Sequence, residues 1–226
     1  MPIHKNKEKK IIKKGGKKNK KNKKNNNYGG KRIIKAPILI TINEKNSPDF
    51  TFIGEFSPLS GYEPKYEPKK WNNELIIKNH NCYSYMMNAI SRTRKDKPQP
   101  GYFSGFPRVK DNEYNCNSYF ERIKKDNPSI YKVGFDTKCK KGYYKAFMAI
   151  ADGDDPDYHF YRQDKSGYWS HKPGRREATD LDASGNKIKN PLIADRNYTH
   201  YNYKIACPLF CVNPDLGRAY SSRIQN

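Results

Sequence analysis

The sequence lacks the features that mark membrane proteins, secreted proteins and the common cofactor-binding proteins. No apolar run approaches the roughly 20 residues of a membrane-spanning helix. The positively charged N-terminus is not followed by an apolar stretch, so we expect no signal peptide. His-Glu-x-x-His, Gly-x-Ser-x-Gly and the glycine motifs that bind phosphates or dinucleotides are also missing. We therefore predict no membrane span, no metal site and no cofactor.

Cysteine is scarce, and the sequence has no Cys-x-x-Cys pair. An odd number of cysteines without that spacing is typical of free thiols in a reducing compartment. We therefore expect an intracellular protein, in the cytoplasm or nucleus. A Cys207–Cys211 disulfide is the alternative, although two residues four apart on a strand share one face and would also pack in a core. The five cysteines are Cys82, Cys116, Cys139, Cys207 and Cys211.

Acidic residues are almost absent from the first 35 residues. This segment holds 15 Lys and Arg against one acid, Glu8, a net charge of +14, which leaves +8 of the total +22 for the remainder. Lys, Asn and Gly offer nothing to bury, so we expect a disordered arm over residues 1–32 and a single domain over 33–226.

The arm is predicted to bind a polyanion. Lysine pairs spaced by Asn and Gly suit phosphate contacts, which recognise charge and not base sequence. Tyr28 is the single aromatic residue of this segment, so base stacking is not its mode of binding. Nucleic acid, an anionic membrane surface and an import receptor remain open as partners. The lysines predicted to make the contacts are Lys13, Lys14, Lys17, Lys18, Lys20, Lys21, Lys23 and Lys24.

Two helices are predicted in the first half of the domain. Asn79 or Asn81 caps the first, which presents apolar side chains at helical spacing and ends before Lys97-Pro98. Asn115 or Asn117 caps the second, which continues to about Lys125 with its apolar face inward. Residues 46–72 resemble a loop.

Strands are predicted mainly in the second half. Runs over 143–151, 158–163 and 168–172, separated by Asp- and Gly-rich turns, indicate an antiparallel sheet that residues 201–212 close. Earlier strands are predicted over 33–42 and 75–77. Helices before an antiparallel sheet define an α+β domain.

Cys82 is the candidate nucleophile because it begins the first predicted helix. Unpaired N–H groups and the helix dipole at that position favour a thiolate, so we expect a lowered pKa. His159 is the candidate base, on the strand face shared with Tyr161 and Gln163. His80 is two residues from Cys82, but the two side chains diverge at a helix start.

The third member of the site stays open among His171, Asp180 and Asp182. A three-residue hairpin turn would place His171 directly across from His159, and a four-residue turn would direct it to the other face. Asp180-Leu-Asp182 also matches the start of a calcium loop, but Pro191 stands at the twelfth position in place of glutamate, so we predict a turn.

The segments KWNNELIIKNHNCYSYMMNAI, PQPGYFSG, DYHFYRQDKSGYWSHKPGRREATDLDASG and CPLFCV resemble papain-like and NlpC/P60-like cysteine hydrolases over about residues 70–212. The resemblance implies a papain-like fold with Cys82 as nucleophile and His159 as base. It implies a thiol hydrolase or acyltransferase acting on a peptide, isopeptide or amide bond. The alternative is a non-enzymatic, nucleic-acid-associated protein with a degenerate papain-like fold. Heavy use of Asn and Lys is typical of an AT-rich source such as a large DNA virus, so that protein would be a virion component.

Overall fold

The computed structural model describes residues 55–91, 97–110 and 113–218, together with the backbone of two short strands, Leu39–Ile40 and Thr51–Phe52. They belong to a unit that extends from Pro37 to Asn226. The predicted arm and its eight lysines lie outside the described residues, as does most of the predicted strand over 33–42. Within the described ranges, no helix is long and apolar enough to cross a bilayer.

The described part is an α+β domain with short helices early and an antiparallel sheet late, as the sequence predicts. The elements in chain order are β1 (Leu39–Ile40), β2 (Thr51–Phe52), α1 (Pro68–Trp71), α2 (Glu74–Ile77), α3 (Cys82–Met86), a 3-10 turn (Tyr102–Ser104), α4 (Cys116–Asp126), β3 (Tyr131–Lys132), β4 (Tyr144–Ala151), β5 (Asp157–Gln163), β6 (Trp169–His171), β7 (Ile205–Ala206), β8 (Phe210–Val212) and a second 3-10 turn (Pro214–Leu216).

The main sheet has the order β3-β8-β4-β5-β6, with β7 also paired to β4. Every residue of β4 is buried, so both faces of the sheet are covered. Met148 and Ile150 face a core built with α3 and α4. Phe147 and Ala149 face a second core, which the chain around residues 188–209 covers. The sheet is therefore the middle layer of the domain.

The predicted helices are present, but the first is shorter than expected. Asn81 caps α3 and Asn115 caps α4, each by accepting a hydrogen bond from a backbone N–H three residues later. Helix α3 ends at Met86, and Asn88 adopts a left-handed conformation with φ of 48°, which stops a helix. The strand predicted over 75–77 is wrong, because Asn73 caps a helical turn there.

A buried arginine fixes α3 to the sheet. The Arg162 guanidinium lies 3.9 Å from the centre of the Tyr85 ring and donates to the Tyr85 carbonyl at 2.9 Å. Its Nε donates to Asp164 at 3.3 Å. Burial raises the pKa of that carboxyl to about 6, and the arginine opposes the rise. Helix α3 is thus held by charge-assisted contacts as well as by apolar packing.

Four of the five cysteines form disulfides, so the expectation of free thiols is wrong. Cys116 at the start of α4 pairs with Cys207, and Cys139 pairs with Cys211 in β8. The alternative Cys207–Cys211 bond is also wrong, since each of these residues has a distant partner. Both bonds fasten the last strands to earlier parts of the chain. Cys82 is the free cysteine of the sequence.

Candidate active site

A capping box places Cys82 at the first position of α3. The Asn81 side chain accepts from the Ser84 N–H, and the Ser84 hydroxyl accepts from the Asn81 N–H at 2.9 Å. The Asn81 amide also donates to the Pro98 carbonyl at 2.8 Å. Among the described residues, the Cys82 backbone N–H has no hydrogen-bond acceptor. An unpaired N–H beside the thiol is the kind of donor that an oxyanion requires.

The Cys82 thiol lies at an edge of β5 that β6 does not cover. Strand β6 ends at His171, which pairs with Tyr161, so the earlier residues of β5 extend beyond it. Cys82 Sγ is 4.0 Å from the Tyr158 carbonyl oxygen. The N–H groups of Phe160 and Tyr83 also interact with the sulfur. The thiol is therefore beside the backbone on both sides of His159.

Burial has a larger effect on the pKa of this thiol than the helix N-terminus has. Cys82 is 5% exposed, and burial raises its pKa to about 12, helped by the charge of Asp157 and opposed by two backbone N–H groups. This direction is opposite to the lowered pKa expected from the sequence. The helix has five residues and the thiol is shielded from water, so desolvation of the anion is the larger effect. The resting group is a neutral thiol.

The β5–β6 hairpin brings His159 and His171 together on one face. Asp164 and Tyr168 pair across a three-residue turn, which places Tyr161 opposite His171. His159 is therefore on the same face as His171 but one diagonal step away, and not directly across. His159 Nε2 is 2.7 Å from His171 Nδ1.

A backbone carbonyl fixes the protonation of both imidazoles. His171 Nε2 lies 2.9 Å from the Leu181 carbonyl oxygen, which only accepts, so this nitrogen carries a proton. Burial lowers the pKa of His171 to about 4, so the ring is neutral and its Nδ1 is an acceptor. His159 Nε2 must then be the donor. The pKa of His159 is also well below its usual value, first because of burial and second because a protonated His159 and a protonated His171 would repel each other. Its Nδ1 consequently holds a lone pair.

Asp180 is not brought to the imidazole pair by any described contact. Its carboxylate forms an ion pair with Lys187 at 3.1 Å, and its charge acts on His171 at longer range. Asp182 accepts from backbone N–H groups inside the predicted turn. Both ring nitrogens of His80 contact backbone groups, those of Ile76 and Ser91. The Leu181 carbonyl thus stands where a side chain was expected.

A fully buried lysine joins the two parts of the site. Lys172 follows His171 and donates to the carbonyls of Ile77 and His80, both at 2.8 Å. It also donates to Gly174 at 2.8 Å and to Arg176 at 3.0 Å. The carbonyls of Ile77 and His80 precede α3, and those of Gly174 and Arg176 follow β6. One ammonium therefore connects both segments.

Cys82 and His159 line one pocket of about 460 Å³. Tyr203 and Tyr198 enclose the histidine, with ring centres 5.2 and 6.3 Å from that of His159. The Gln99 side chain also lines the pocket, and its Oε1 accepts from the Tyr158 hydroxyl. In the described ranges, no group of three or more His, Cys, Asp or Glu side chains is placed to hold a metal ion.

Three elements of the site escape sequence reasoning. Lys172, Gln99 and the Leu181 carbonyl depend on contacts between distant segments, and their local sequence carries no motif. The tyrosines around His159 come from a loop about 40 residues later. The high Tyr content is visible in the sequence, but the place where these rings converge is not.

Together these features define a disulfide-bonded α+β domain with one free thiol and a hydrogen-bonded histidine pair. Cys82 packs on the α3 side of the sheet, and His159, which pairs with Ala149, is on the opposite face; both line the same pocket. No family model matches the sequence, and no solved structure matches it. The chain is 35% identical over 132 residues to insoluble matrix shell protein 1 of Ruditapes philippinarum, a match that covers 58% of this chain and 81% of that protein. The chain therefore belongs to the family of this shell matrix protein.

Proposed function

We propose that the domain is a thiol hydrolase or acyltransferase of the papain-like kind, acting on a peptide, isopeptide or amide bond. The observation that carries the proposal is the hydrogen-bonded series from the Leu181 carbonyl through His171 to His159. It orients His159, which lines the same pocket as Cys82 and whose Nδ1 holds a lone pair. A nucleophile, a base and a group that orients the base are the parts that such catalysis requires.

The proposed reaction has two stages. Cys82 Sγ attacks the carbonyl carbon of the substrate while His159 Nδ1 takes the thiol proton. The C–N bond then breaks, and the imidazolium gives this proton to the departing amine. Water or a second amine attacks the thioester, the C–S bond breaks, and the proton returns to the sulfur. His171 accepts from His159 throughout and stabilises the imidazolium that forms transiently.

The charge state of the resting pair favours general-base catalysis over a stored ion pair. Cys82 is a neutral thiol and His159 a neutral imidazole, since burial disfavours the charged form of each. Proton transfer is then coupled to the approach of the acyl carbon. The oxyanion is held by the Cys82 backbone N–H and, we propose, by the Gln99 amide, because its Oε1 is occupied by Tyr158 and its N–H₂ remains to donate.

A peptide library tests this activity without a known substrate. The full-length chain is incubated with the library and a small primary amine, and new termini and amine adducts are counted by mass spectrometry. We expect Cys82→Ser and His159→Gln to lower the product yield by about 100-fold or more. His200→Ala is the matched control, because His200 lines the same pocket but is exposed. Equal yields from the parent chain and Cys82→Ser would refute the proposal.

A non-enzymatic role is the second candidate. The relative is named a shell matrix protein, and two disulfides suit an oxidising environment, in contrast to the intracellular location expected from free thiols. The domain would then be a structural component of a matrix or, as the sequence alternative has it, of a virion. In either case Cys82→Ser would leave the amount of chain in the assembled material unchanged and the library experiment would yield no product.

The arm is proposed to hold the domain on a polyanion. Eight lysine contacts would give a slope of about −7 in log K against log salt concentration for duplex DNA. Replacing these eight lysines with glutamine should make the slope less steep by about 7, and deleting residues 1–30 should abolish binding. Binding that survives the deletion would place the contact in the domain instead.

A further inference from the structure

We infer that the pocket takes an acyl substrate bearing carboxylate groups, such as an acidic peptide. The inference rests on the proposed function, because it assigns the substrate class of the same site. It is carried by the charges that surround the nucleophile, and these are separate from the groups assigned to the chemistry.

The pocket is lined by four cationic side chains and one carboxylate. Lys97 and Arg108 come from the segments between α3 and α4, and Arg175 and Arg176 follow β6. The carboxylate is Asp157 at the start of β5. In the whole sequence, by contrast, Lys and Arg outnumber Asp and Glu by only 45 to 23. The excess of positive charge is thus greater at the pocket than in the chain as a whole.

The charge of Lys97 acts on Asp157, and the three arginines have no acidic partner among the described residues. No ion pair or side-chain hydrogen bond joins the four to another described residue, whereas Lys70, Lys187 and Lys189 each have an acidic partner. Asp157 accepts from the Tyr203 hydroxyl at 2.6 Å. Asp155, at the margin, accepts from the Tyr201 hydroxyl at 3.0 Å. The positive charge is available to a ligand.

A concave surface lined by one sign of charge concentrates ligands of the opposite sign. Such focusing raises association rates by about 10- to 1,000-fold, and it weakens as salt shortens the Debye length from about 30 Å at 0.01 M to about 3 Å at 1 M. An acidic acyl donor is therefore favoured over a basic one.

Arg175 and Arg176 are the positions at which to test the field. Both side chains are exposed, and the Arg176 atoms that contact the fold are its backbone N–H and carbonyl. Charge reversal at these side chains leaves the contact with Lys172 in place. Lys138→Glu with Lys141→Glu is the matched control, because both residues are exposed and lie outside the pocket lining.

Two alkylating reagents that differ in charge provide the measurement. The Cys82 thiolate displaces iodide from iodoacetate, an anion, or from iodoacetamide, which is neutral. A C–S bond forms, a C–I bond breaks, and the thiol proton goes to solvent. Both reagents consume the same thiolate, so the ratio of their rates is independent of the thiol pKa. The full-length, unreduced chain offers one free thiol, and intact mass reports its labelling.

We expect the iodoacetate to iodoacetamide rate ratio to fall about tenfold in R175E/R176E and to fall as salt rises. In the control pair the ratio should stay within about twofold of the parent. An unchanged ratio in R175E/R176E would overturn the substrate class while leaving the thiol chemistry standing. Labelling of Cys82 by neither reagent in the folded chain would overturn both proposals, because a thiol closed to so small an electrophile cannot reach an acyl carbon.

Discussion

Replacing Lys172 with methionine should lower the free energy of unfolding substantially, because this one side chain donates to four backbone carbonyls. Methionine fills a similar volume but leaves the carbonyls of Ile77, His80, Gly174 and Arg176 without their donor. Burial lowers the pKa of Lys172 to about 8, so the ammonium is still the main form at pH 7. The substitution therefore removes four charge-assisted hydrogen bonds.

The size of the effect follows from how far each carbonyl is buried. The bond to His80 is buried, so its lost acceptor costs about 1–3 kcal/mol. The other three bonds are partly buried, and water can replace the donor at a cost of about 0.5 kcal/mol each. Relief of the lysine desolvation offsets part of this sum. We expect a net loss of about 3 kcal/mol in the free energy of unfolding.

Urea unfolding followed by near-ultraviolet circular dichroism measures this loss. Lys165→Met is the control, because Lys165 is exposed and its contact is made by the backbone N–H. The control should lie within about 0.5 kcal/mol of the parent. If Lys172→Met also unfolds at the parent midpoint, the four carbonyls do not depend on the ammonium. If Lys172 also positions Cys82, the rate at which iodoacetamide labels Cys82 in folded Lys172→Met should change. The change should be larger than the loss of stability accounts for.

Three further outcomes are expected. The folded pKa of His171 is about 4 against about 6.5 unfolded, so the unfolded state binds more protons in this window and the parent should lose about 3 kcal/mol more than His171→Asn between pH 7 and pH 4; parallel pH–stability curves would contradict this. Removing the Cys139–Cys211 bond by double alanine substitution should cost about 4 kcal/mol in urea unfolding, since it closes a long loop; a midpoint insensitive to reductant in the parent would refute it. Gln99→Ala should lower kcat by about 100-fold with KM little changed if its amide holds the oxyanion, and a shift in KM alone would assign it to binding.

Much of the fold is readable from local signals. The caps could be predicted to within two residues, as Asn79 or Asn81 and as Asn115 or Asn117, because Asn before an apolar-periodic run accepts from the first turn. Strands β4, β5 and β6 lie within a residue or two of their predicted limits, since Asp- and Gly-rich turns separate them. The error at 75–77 arose because three apolar residues fit either a strand or a helical turn.

The candidate site was predictable only in part. Cys82 and His159 could be proposed from a helix start and a strand face. Their protonation could not, because it depends on burial that the tertiary structure creates. The disulfides were missed for a similar reason: Cys116 and Cys207 are 91 residues apart, and sequence spacing alone does not pair them.

The hydrogen-bonded series from His159 through His171 ends at a main-chain atom, the Leu181 carbonyl oxygen. Most substitutions change only the side chain and leave this acceptor in place. Any residue at position 181 that keeps the backbone path presents the same acceptor to His171. A substitution scan at position 181 should therefore show little loss of stability or activity when the side chain is exchanged and a large loss with proline or deletion. The series therefore consists of two side chains, His159 and His171, and one main-chain carbonyl, so a search of structures for three converging side chains would not find it.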